Sequence, residues 1–438
     1  LLVIRFLNNY FKKNFFVIDI LLSLLIFIIL IKTFLLSAPK DSFHYSWYLG
    51  PAYSSMAGGE LLIDTVSQYG YFSILFIKYF SYLTQINLET AFVLLIVIFF
   101  ILFFFLFLNI ISKVIKYPLF ILTLFLCLCI FGSIGISNLS GAMYIPSSSV
   151  YRFFPALITT YFLSRIIISN HNNFNLNSFC FTLFFLISIF WSFESLFFIT
   201  FTILALFFSL LLDLFFLKKN DQNKKIFKLN LNQKIFFIIL SILFAICFYV
   251  LSLNKDLTLF YEYVFGFEGL KTLEILNSRT SILFISFLLI NFLVVRLSFN
   301  PNERLNFLYN FLWFALFISF SSYFVARSHP NNAFSLFPFF IFFLCILKIS
   351  TKNLAKLREV FVKAFISFTI ISSLSSIYFN KDIFFTNLLS SKFLETPIFN
   401  NGNYNPSELI QKELKLKKDI PVTLITGSSI HNVNNKLN

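Results

Sequence analysis

The chain has 438 residues, of which 58% are hydrophobic and only 12% are charged, and its formal net charge is +15. A soluble domain carries about 25% charged residues, so this composition excludes an ordinary soluble protein and predicts a polytopic membrane protein. The positive charge does not indicate a nucleic-acid partner, because the Lys and Arg residues lie in loops between apolar runs, where they set orientation in a membrane.

Apolar runs that approach the roughly 20 residues needed to cross a bilayer recur along the chain. They predict an all-α fold with about eleven transmembrane helices, at 15–36, 90–111, 117–136, 153–168, 178–192, 195–217, 235–252, 281–298, 308–325, 334–349 and 364–379. Segment 71–86 is shorter, amphipathic and interrupted by Lys78. We interpret it as an interfacial helix that lies on the membrane, with a re-entrant span as the alternative.

Two domains are expected. Residues 1–379 form the transmembrane domain, with a long first extracytoplasmic loop at 37–89, and residues 380–438 form an extracytoplasmic tail. The sequence VTLIT at 422–426 is typical of a strand that enters a Gly-Ser turn. The tail is therefore predicted to be the truncated start of an α/β soluble domain. The chain begins with Leu and not Met, which also favours a fragment.

The distribution of basic residues predicts the orientation. With the N-terminus in the cytoplasm, 19 Lys and Arg residues before the tail fall on the cytoplasmic side and 8 fall outside. This asymmetry agrees with the positive-inside rule and predicts a multi-pass protein of the cytoplasmic (inner) membrane. Nearly every unusual polar residue then lies on the extracytoplasmic face, and so does the C-terminus. We expect the working surface to be on that face.

The first outer loop carries the clearest candidate for a catalytic base. Asp41 and His44 follow the first apolar run and are three residues apart, so a helix would place them on one face. A carboxylate close to the bilayer surface is well placed to take a proton from an acceptor hydroxyl. The alternative is that Asp41 only caps a short helix.

Glu60 and Asp64 form a pair of acids at i,i+4 in the same loop. Like charges at this spacing are mildly destabilising on a helix, so the pair indicates either a function or a solvated loop. The functional interpretations are a second catalytic acid at Asp64, a substrate contact at Glu60, and a divalent cation held by both. No cofactor is certain from the sequence.

Two further ionisable residues lie beside or inside apolar runs. Arg152, in VYRFFP, is a candidate for phosphate binding at the outer membrane surface, with a role as a headgroup anchor as the alternative. Glu194, in FWSFESLFF, is a candidate substrate contact because an acid in so apolar a segment is often functional. The alternative for Glu194 is an exposed, inactive turn.

A short outer loop with the sequence RSHPNN combines Arg327, His329 and Asn331 within a few residues. A cation, an imidazole and amides together suit recognition of a phosphate and of sugar hydroxyls. The alternative is a polar turn in which Pro330 breaks the chain.

The first loop resembles that of the GT-C-type integral-membrane glycosyltransferases, in the superfamily of protein O-mannosyltransferases and lipid A aminoarabinose transferases. The matching residues are Asp41 with His44, Pro51, Gly59, Asp64 and the pair Tyr69-Gly70. Many members have two adjacent acids after the first span, whereas Ser42 follows Asp41 here, which leaves the second acid undefined.

The resemblance implies transfer of a sugar from a polyprenyl-phosphate donor to a lipid, glycan or protein acceptor on the outer face. It implies that Asp41 is the base and that Arg152 or Arg327 holds the donor phosphate. Membrane lipids are the other expected partners. The alternatives are a transporter or flippase of a lipid-linked glycan, and a polymerase or ligase of a surface polysaccharide.

Overall fold

The computed structural model describes residues 42–61, 67, 69–111, 113–114, 150–168, 174–217, 304–326, 330–349, 351–379, 423–426 and 429–432, together with single positions between 236 and 292 and between 381 and 389. Within these ranges the protein is predominantly helical, as its composition predicts. The first predicted span and the run at 117–136 lie outside the described residues, and the runs at 235–252 and 281–298 are described only at single positions.

The stretch predicted to be the first extracytoplasmic loop, which keeps the name first outer loop below, contains two described helices and leads into a third. Helix α1 runs over Ser42–Met56, α2 over Phe72–Thr84 and α3 over Leu88–Ile111. Helix α2 ends where Gln85 adopts a left-handed conformation with a φ of 56°. Helix α3 is capped two residues later, because the side-chain oxygen of Asn87 accepts a hydrogen bond from the backbone N–H of Thr90 at 2.8 Å.

Three described helices follow in the middle of the chain. Helix α4 covers Val150–Ile168, α5 covers Phe174–Trp191 and α6 covers Phe193–Leu217. A single residue, Ser192, separates α5 from α6, and the two helices pack against each other. The interruption predicted between the spans 178–192 and 195–217 is therefore present, at Ser192.

Helix α7 extends over Arg304–Ala326, α8 over Pro330–Ile346 and α9 over Lys352–Phe379. Helix α9 begins well before the predicted span at 364–379, because its basic first half is itself helical. Lys, Arg and Glu are good helix formers, so the interpretation of this part as a loop was wrong. Strands β1 (Thr423–Thr426) and β2 (Ser429–Asn432) pair in antiparallel register. The α/β domain expected in the tail stays a prediction.

Helix α4 is the centre of the described bundle, and it packs against α3, α5, α6 and α7. Its side chains are buried on every side except at Arg165 and Ile168, near its C-terminal end. A helix that is buried all round needs partners on all faces. Cross-helix hydrogen bonds add to this packing, as between the hydroxyls of Thr159 in α4 and Ser188 in α5, which are 2.8 Å apart.

Three of the described helical segments are long and apolar enough to cross a membrane: Leu88–Ile111, Phe174–Trp191 and Phe193–Leu210. They match three of the predicted spans and indicate a membrane protein. Helix α2 is apolar but has only 13 residues, so it is too short for an ordinary span. The full number of spans, the orientation and the interfacial placement of α2 stay predictions.

Gly70 fixes the approach of the first outer loop to the α5–α6 turn. Its φ is +89°, and a Cβ atom at this position would clash with the backbone oxygen of Trp191 and would lie 2.6 Å from the Cα of Ser192. The adjacent N–H of Tyr71 donates to the backbone oxygen of Phe190 at 3.2 Å. Only glycine allows both the positive φ and this close backbone contact.

We predict that Gly70→Ala destabilises the protein more than Gly58→Ala does. Gly58 also has a positive φ, +97°, but a Cβ atom there would meet nothing within 4 Å. Both changes carry the conformational cost of about 1–2 kcal/mol, and only Gly70→Ala adds a steric cost of about 1–3 kcal/mol. The measurement is the thermal unfolding midpoint of each purified variant in detergent micelles. Equal midpoints would contradict the close contact at Gly70.

Candidate functional site

An ion pair between Arg152 and Glu194 lies at the N-terminal end of α4. Arg152 is in the first turn of α4 and its side chain is only 2% exposed, whereas that of Glu194 is 22% exposed. Removing a guanidinium from water is costly unless a carboxylate and further hydrogen bonds compensate it. Glu194 supplies the carboxylate, so the two ionisable residues that the sequence analysis singled out separately are partners.

Two tyrosines also lie against the guanidinium. The Cζ atom of Arg152 lies 4.9 Å from the ring centroid of Tyr69 and 4.8 Å from that of Tyr323. Its Nη1 also donates to the hydroxyl of Tyr323 at 3.4 Å. Aromatic faces attract a cation at these distances, and more strongly where water is excluded. Arg152 therefore links the first outer loop to α6 and α7.

The turn between α5 and α6 positions Glu194 through the hydrogen bonds of the two serines beside it. The hydroxyl of Ser192 accepts from the backbone N–H of Ser195 at 3.1 Å and caps α6. The hydroxyl of Ser195 donates to the backbone oxygen of Arg152, also at 3.1 Å. Glu194 lies in the first turn of α6, where the helix dipole favours a negative charge.

Pro155 explains a second contact between the turn and α4. Proline has no N–H, so the backbone oxygen of Tyr151, four residues earlier, loses its usual helical donor. The indole Nε1 of Trp191 donates to this oxygen at 2.9 Å. A contact between helices thus replaces a hydrogen bond within a helix, and it holds the last residue of α5 against the first turns of α4.

Tyr48 in α1 brings the first outer loop onto the site. Its ring stacks on that of Tyr69 with centroids 4.4 Å apart, and it meets Tyr151 edge to face at 5.8 Å. Burial raises the pKa of Tyr48 well above its usual value, although the charge of Arg152 acts in the opposite direction. The phenol is therefore neutral at physiological pH and contributes as an apolar and hydrogen-bonding surface.

Several predicted site residues are outside the parts of the chain that the structure describes. These are Asp41, Asp64, Arg327 and His329. Their roles stay predictions. Helix α1 begins at Ser42, directly after Asp41, so the capping role remains open beside the catalytic one.

Three other candidates have a described backbone. His44 lies in α1 and Asn331 in α8, and their side chains are outside the described part. Glu60 is exposed and follows the end of α1 without helical structure, so the helical spacing argued for Glu60 and Asp64 does not apply at Glu60. The described residues hold no group of three or more His, Cys, Asp or Glu residues that could bind a metal ion. The cation proposed for Glu60 and Asp64 stays a prediction.

The structure corrects the expected setting of Arg152. The sequence predicts a guanidinium at the outer membrane surface, where it is a candidate for phosphate binding. In the structure the side chain is buried and bound to Glu194 and Tyr323. Arg152 could bind a phosphate directly only if its contacts with Glu194 and Tyr323 were broken. The alternative of an exposed Glu194 is also wrong, because the side chain is only 22% exposed and the carboxylate is bound to Arg152. A role of Glu194 in substrate binding stays a prediction.

Sequence reasoning gave no role to Tyr48, Tyr323 and Ser195, and quoted Tyr69 only as part of the resemblance. The chain contains 19 Tyr and 69 Phe residues, so no single aromatic residue stands out. Tyr323 is four residues before Arg327, which places the end of α7 at the site close to the RSHPNN sequence. This short distance in sequence from Arg327 was the one feature that could have pointed to Tyr323.

An apolar cavity of about 450 Å³ lies on another face of α4. Its walls come from α2, α3, α4 and α5, and they include Phe76, Phe99, Phe154 and Trp191. Arg152 instead faces α6 and α7 through Glu194 and Tyr323. Helix α4 therefore separates the cavity from the ion pair.

No protein family model, curated protein or solved structure matches the chain. The resemblance to the GT-C-type glycosyltransferases rests on the residues quoted for it in the first outer loop.

We predict an asymmetric cost for breaking the ion pair. Glu194→Gln leaves a buried guanidinium that cannot lose its charge, and the expected loss is about 3–5 kcal/mol. Arg152→Met should cost less, because the Glu194 side chain is 22% exposed and its carboxylate can be hydrated. The double variant Arg152→Met/Glu194→Gln should cost less than the sum of the single changes. Unfolding midpoints of the three variants test this, and simple additivity would contradict the pairing.

A second prediction concerns Trp191 and Pro155. Trp191→Phe keeps most of the ring packing but leaves the oxygen of Tyr151 without its donor, at a cost of about 1–3 kcal/mol. In a Pro155→Ala background the restored helical N–H can bond the same oxygen, so Trp191→Phe should cost clearly less there. A double-mutant cycle of unfolding midpoints measures the difference. An equal cost in both backgrounds would mean that the indole hydrogen bond contributes nothing.

Proposed function

We propose that the protein is a glycosyltransferase that moves a sugar from a polyprenyl-phosphate donor to an acceptor on the extracytoplasmic face of the inner membrane. The observation that supports this most is the convergence of three separate outer segments on Arg152: Tyr69 from the first loop, Glu194 from the α5–α6 turn, and Tyr323 from the end of α7. A transfer reaction needs groups from several segments to act on one bound pair of substrates.

Asp41 is the proposed base. Its carboxylate takes the proton of the acceptor hydroxyl while the hydroxyl oxygen bonds to the anomeric carbon of the donor sugar. The bond from that carbon to the phosphate oxygen breaks, and polyprenyl phosphate leaves. His44 is proposed to assist Asp41, and Asp64 is the candidate for a second acid.

The buried Arg152–Glu194 pair has a positioning role in this proposal. It holds Tyr69 and Tyr323 in place and so fixes the first loop relative to α7. Direct contact with the phosphate then falls first to Arg327 and His329, with Asn331 and Glu60 as contacts for sugar hydroxyls. The Oε2 atom of Glu194 is buried and has no hydrogen-bond partner among the described residues, which makes it an acceptor for a substrate hydroxyl once the site opens.

Helix α4 favours an enzyme over a transporter or flippase. A transport path needs polar or charged groups through the middle of the membrane domain. Between Arg152 and Arg165 the helix carries no charged residue. Its hydroxyl groups at Thr159 and Thr160 bond to backbone oxygens one turn earlier, at 2.8 and 3.0 Å. The described centre of the bundle therefore offers no polar path along α4.

We predict that Asp41→Asn abolishes sugar transfer without affecting membrane insertion. The change keeps the size of the side chain but removes the proton acceptor, which typically lowers the rate by a factor of about 10²–10⁴. The measurement is transfer of label from radiolabelled polyprenyl-phosphate hexoses and pentoses to acceptors in membranes that contain the protein.

The matched control is Glu359→Gln, which makes the same type of change in α9, far along the chain from the outer loops. It should transfer sugar like the wild type. Full activity of Asp41→Asn would remove Asp41 as the base. Movement of intact lipid-linked glycan between leaflets in place of label transfer would favour the flippase alternative.

A further inference from the structure

The apolar cavity beside α4 extends along a helix that is long enough to cross the membrane. The α3 residues that line it recur at helical spacing from Leu95 to Asn109, so they share one face of α3. These two residues are 14 positions apart. The distance corresponds to about 21 Å along the helix axis, or two thirds of a hydrocarbon core about 30 Å thick. The cavity is therefore long in the direction in which lipid chains lie.

The walls of the cavity offer almost no polar group. Among the described residues that line it, Asn109 and Trp191 alone have a polar side-chain atom, and the indole N–H of Trp191 is bonded to the backbone oxygen of Tyr151. Small-molecule sites have volumes of about 300–1,000 Å³ and orient their ligands through a few polar groups. The volume here, about 450 Å³, is in that range. Because apolar cavities exclude water and bind apolar molecules, the ligand that fits is a hydrocarbon.

The cavity opens onto the surface that faces the bilayer. Three of its lining side chains, those of Phe76, Ile98 and Leu102, are 47%, 38% and 45% exposed. On α5, the side chains of Leu183 and Leu186 are exposed directly beside lining residues. Helices α3 and α5 are both long and apolar enough to cross a membrane. The opening is thus continuous with the surface that the hydrocarbon chains of the membrane cover.

One end of the cavity is aromatic. The ring of Trp191 stacks on that of Phe99, with centroids 5.2 Å apart, and meets that of Phe76 edge to face at 5.6 Å. Trp191 lines the cavity but is buried from the surface of the bundle. A chain inside the cavity would therefore lie against this ring, whereas lipid outside the bundle would not.

We propose that this cavity binds one acyl chain of a membrane phospholipid, which enters from the bilayer past Ile98 and Leu102 and lies along α3. An unbranched chain suits a cavity that is long in one direction and apolar throughout. The site does not take the prenyl chain of the proposed sugar donor. None of its described lining residues belongs to α7 or α8, whereas Arg327 and His329, the proposed phosphate contacts, lie between these helices in the sequence. The lipid site is therefore independent of the proposed sugar transfer.

The test uses the fluorescence of Trp191 in the full chain, reconstituted into phosphatidylcholine vesicles. The protein has three tryptophans, so Trp47→Phe/Trp313→Phe leaves Trp191 alone and Trp47→Phe/Trp191→Phe leaves Trp313 alone. Trp313 is also buried, but it does not line the cavity. Phosphatidylcholine with bromine in one acyl chain should lower the emission of Trp191 roughly twofold or more, because the bromine lies in contact with the ring, within about 4.5 Å. The emission of Trp313 should change little.

A pair of changes at the opening tests the route of the chain. Ile98→Phe/Leu102→Phe adds two rings there and should at least halve the quenching of Trp191. The matched control is Leu183→Phe/Leu186→Phe, at two exposed positions of α5 that do not line the cavity. It should leave the quenching of Trp191 unchanged. All four positions are on the surface of the bundle or partly so, and an unchanged unfolding midpoint shows that each variant is folded.

Three results would overturn the proposal. One is equal quenching of Trp191 and Trp313, and another is an equal effect of the two phenylalanine pairs. The third is recovery of the Trp191 emission when a small amount of polyprenyl phosphate is added, which would assign the cavity to a prenyl chain in place of an acyl chain. If a protein with a single tryptophan does not fold, the difference in emission between the wild type and Trp191→Phe isolates the same signal.

Discussion

The structure depends on an arginine placed in a helix that is buried on all sides. Helix α4 has packed neighbours all round, so Arg152 cannot reach water by extending its side chain as an arginine at a membrane surface would. Its charge has to be balanced inside the protein. Glu194, Tyr323 and Tyr69 supply this balance, and in doing so they determine how α6, α7 and the first outer loop meet.

The backbone of the α5–α6 turn is arranged so that Glu194 can balance the buried charge of Arg152. One non-helical residue, Ser192, is enough to reverse the chain and to present Glu194 to α4. Trp191 and Ser195, on either side, each bond to a backbone oxygen at the start of α4. Gly70 then lets the first loop pass directly over this turn. Three short segments that are distant in sequence are thus locked at one point.

Part of this arrangement could be predicted from the sequence, and the reason is chemical contrast. Arg152 and Glu194 were identified because an ionisable residue is conspicuous in an apolar chain. Their pairing could not be predicted, because 41 residues separate them in the sequence and several other charges were equally plausible partners. The roles of Tyr69 and Tyr323 could not be predicted, because aromatic residues are so frequent in this chain that no single one stands out.

The positions of the helices were also easier to predict in apolar segments than in polar ones. Apolar runs predicted α3, α5 and α6 well, because hydropathy measures what the membrane requires. The basic first half of α9 predicts a loop, but the structure shows a helix there, because charged residues such as Lys, Arg and Glu are good helix formers. The helical spacing assumed for Glu60 and Asp64 failed where α1 ends before Glu60. The sequence pattern thus predicted the apolar helices, but it did not predict where helices begin or end in polar segments.

The spacing of the two arginines in α4 has a consequence for the surrounding lipid. Arg152 and Arg165 are 13 residues apart, which corresponds to a rise of about 20 Å along a helix. The hydrocarbon core of a bilayer is about 30 Å thick. If Arg165 lies at one headgroup level, Arg152 remains about 10 Å short of the other. Such hydrophobic mismatch is relieved where the bilayer becomes thinner or where neighbouring helices enclose the charge. The bundle around α4 provides the enclosure, and a lipid whose headgroup reached Arg152 would have to descend below the plane of its neighbours.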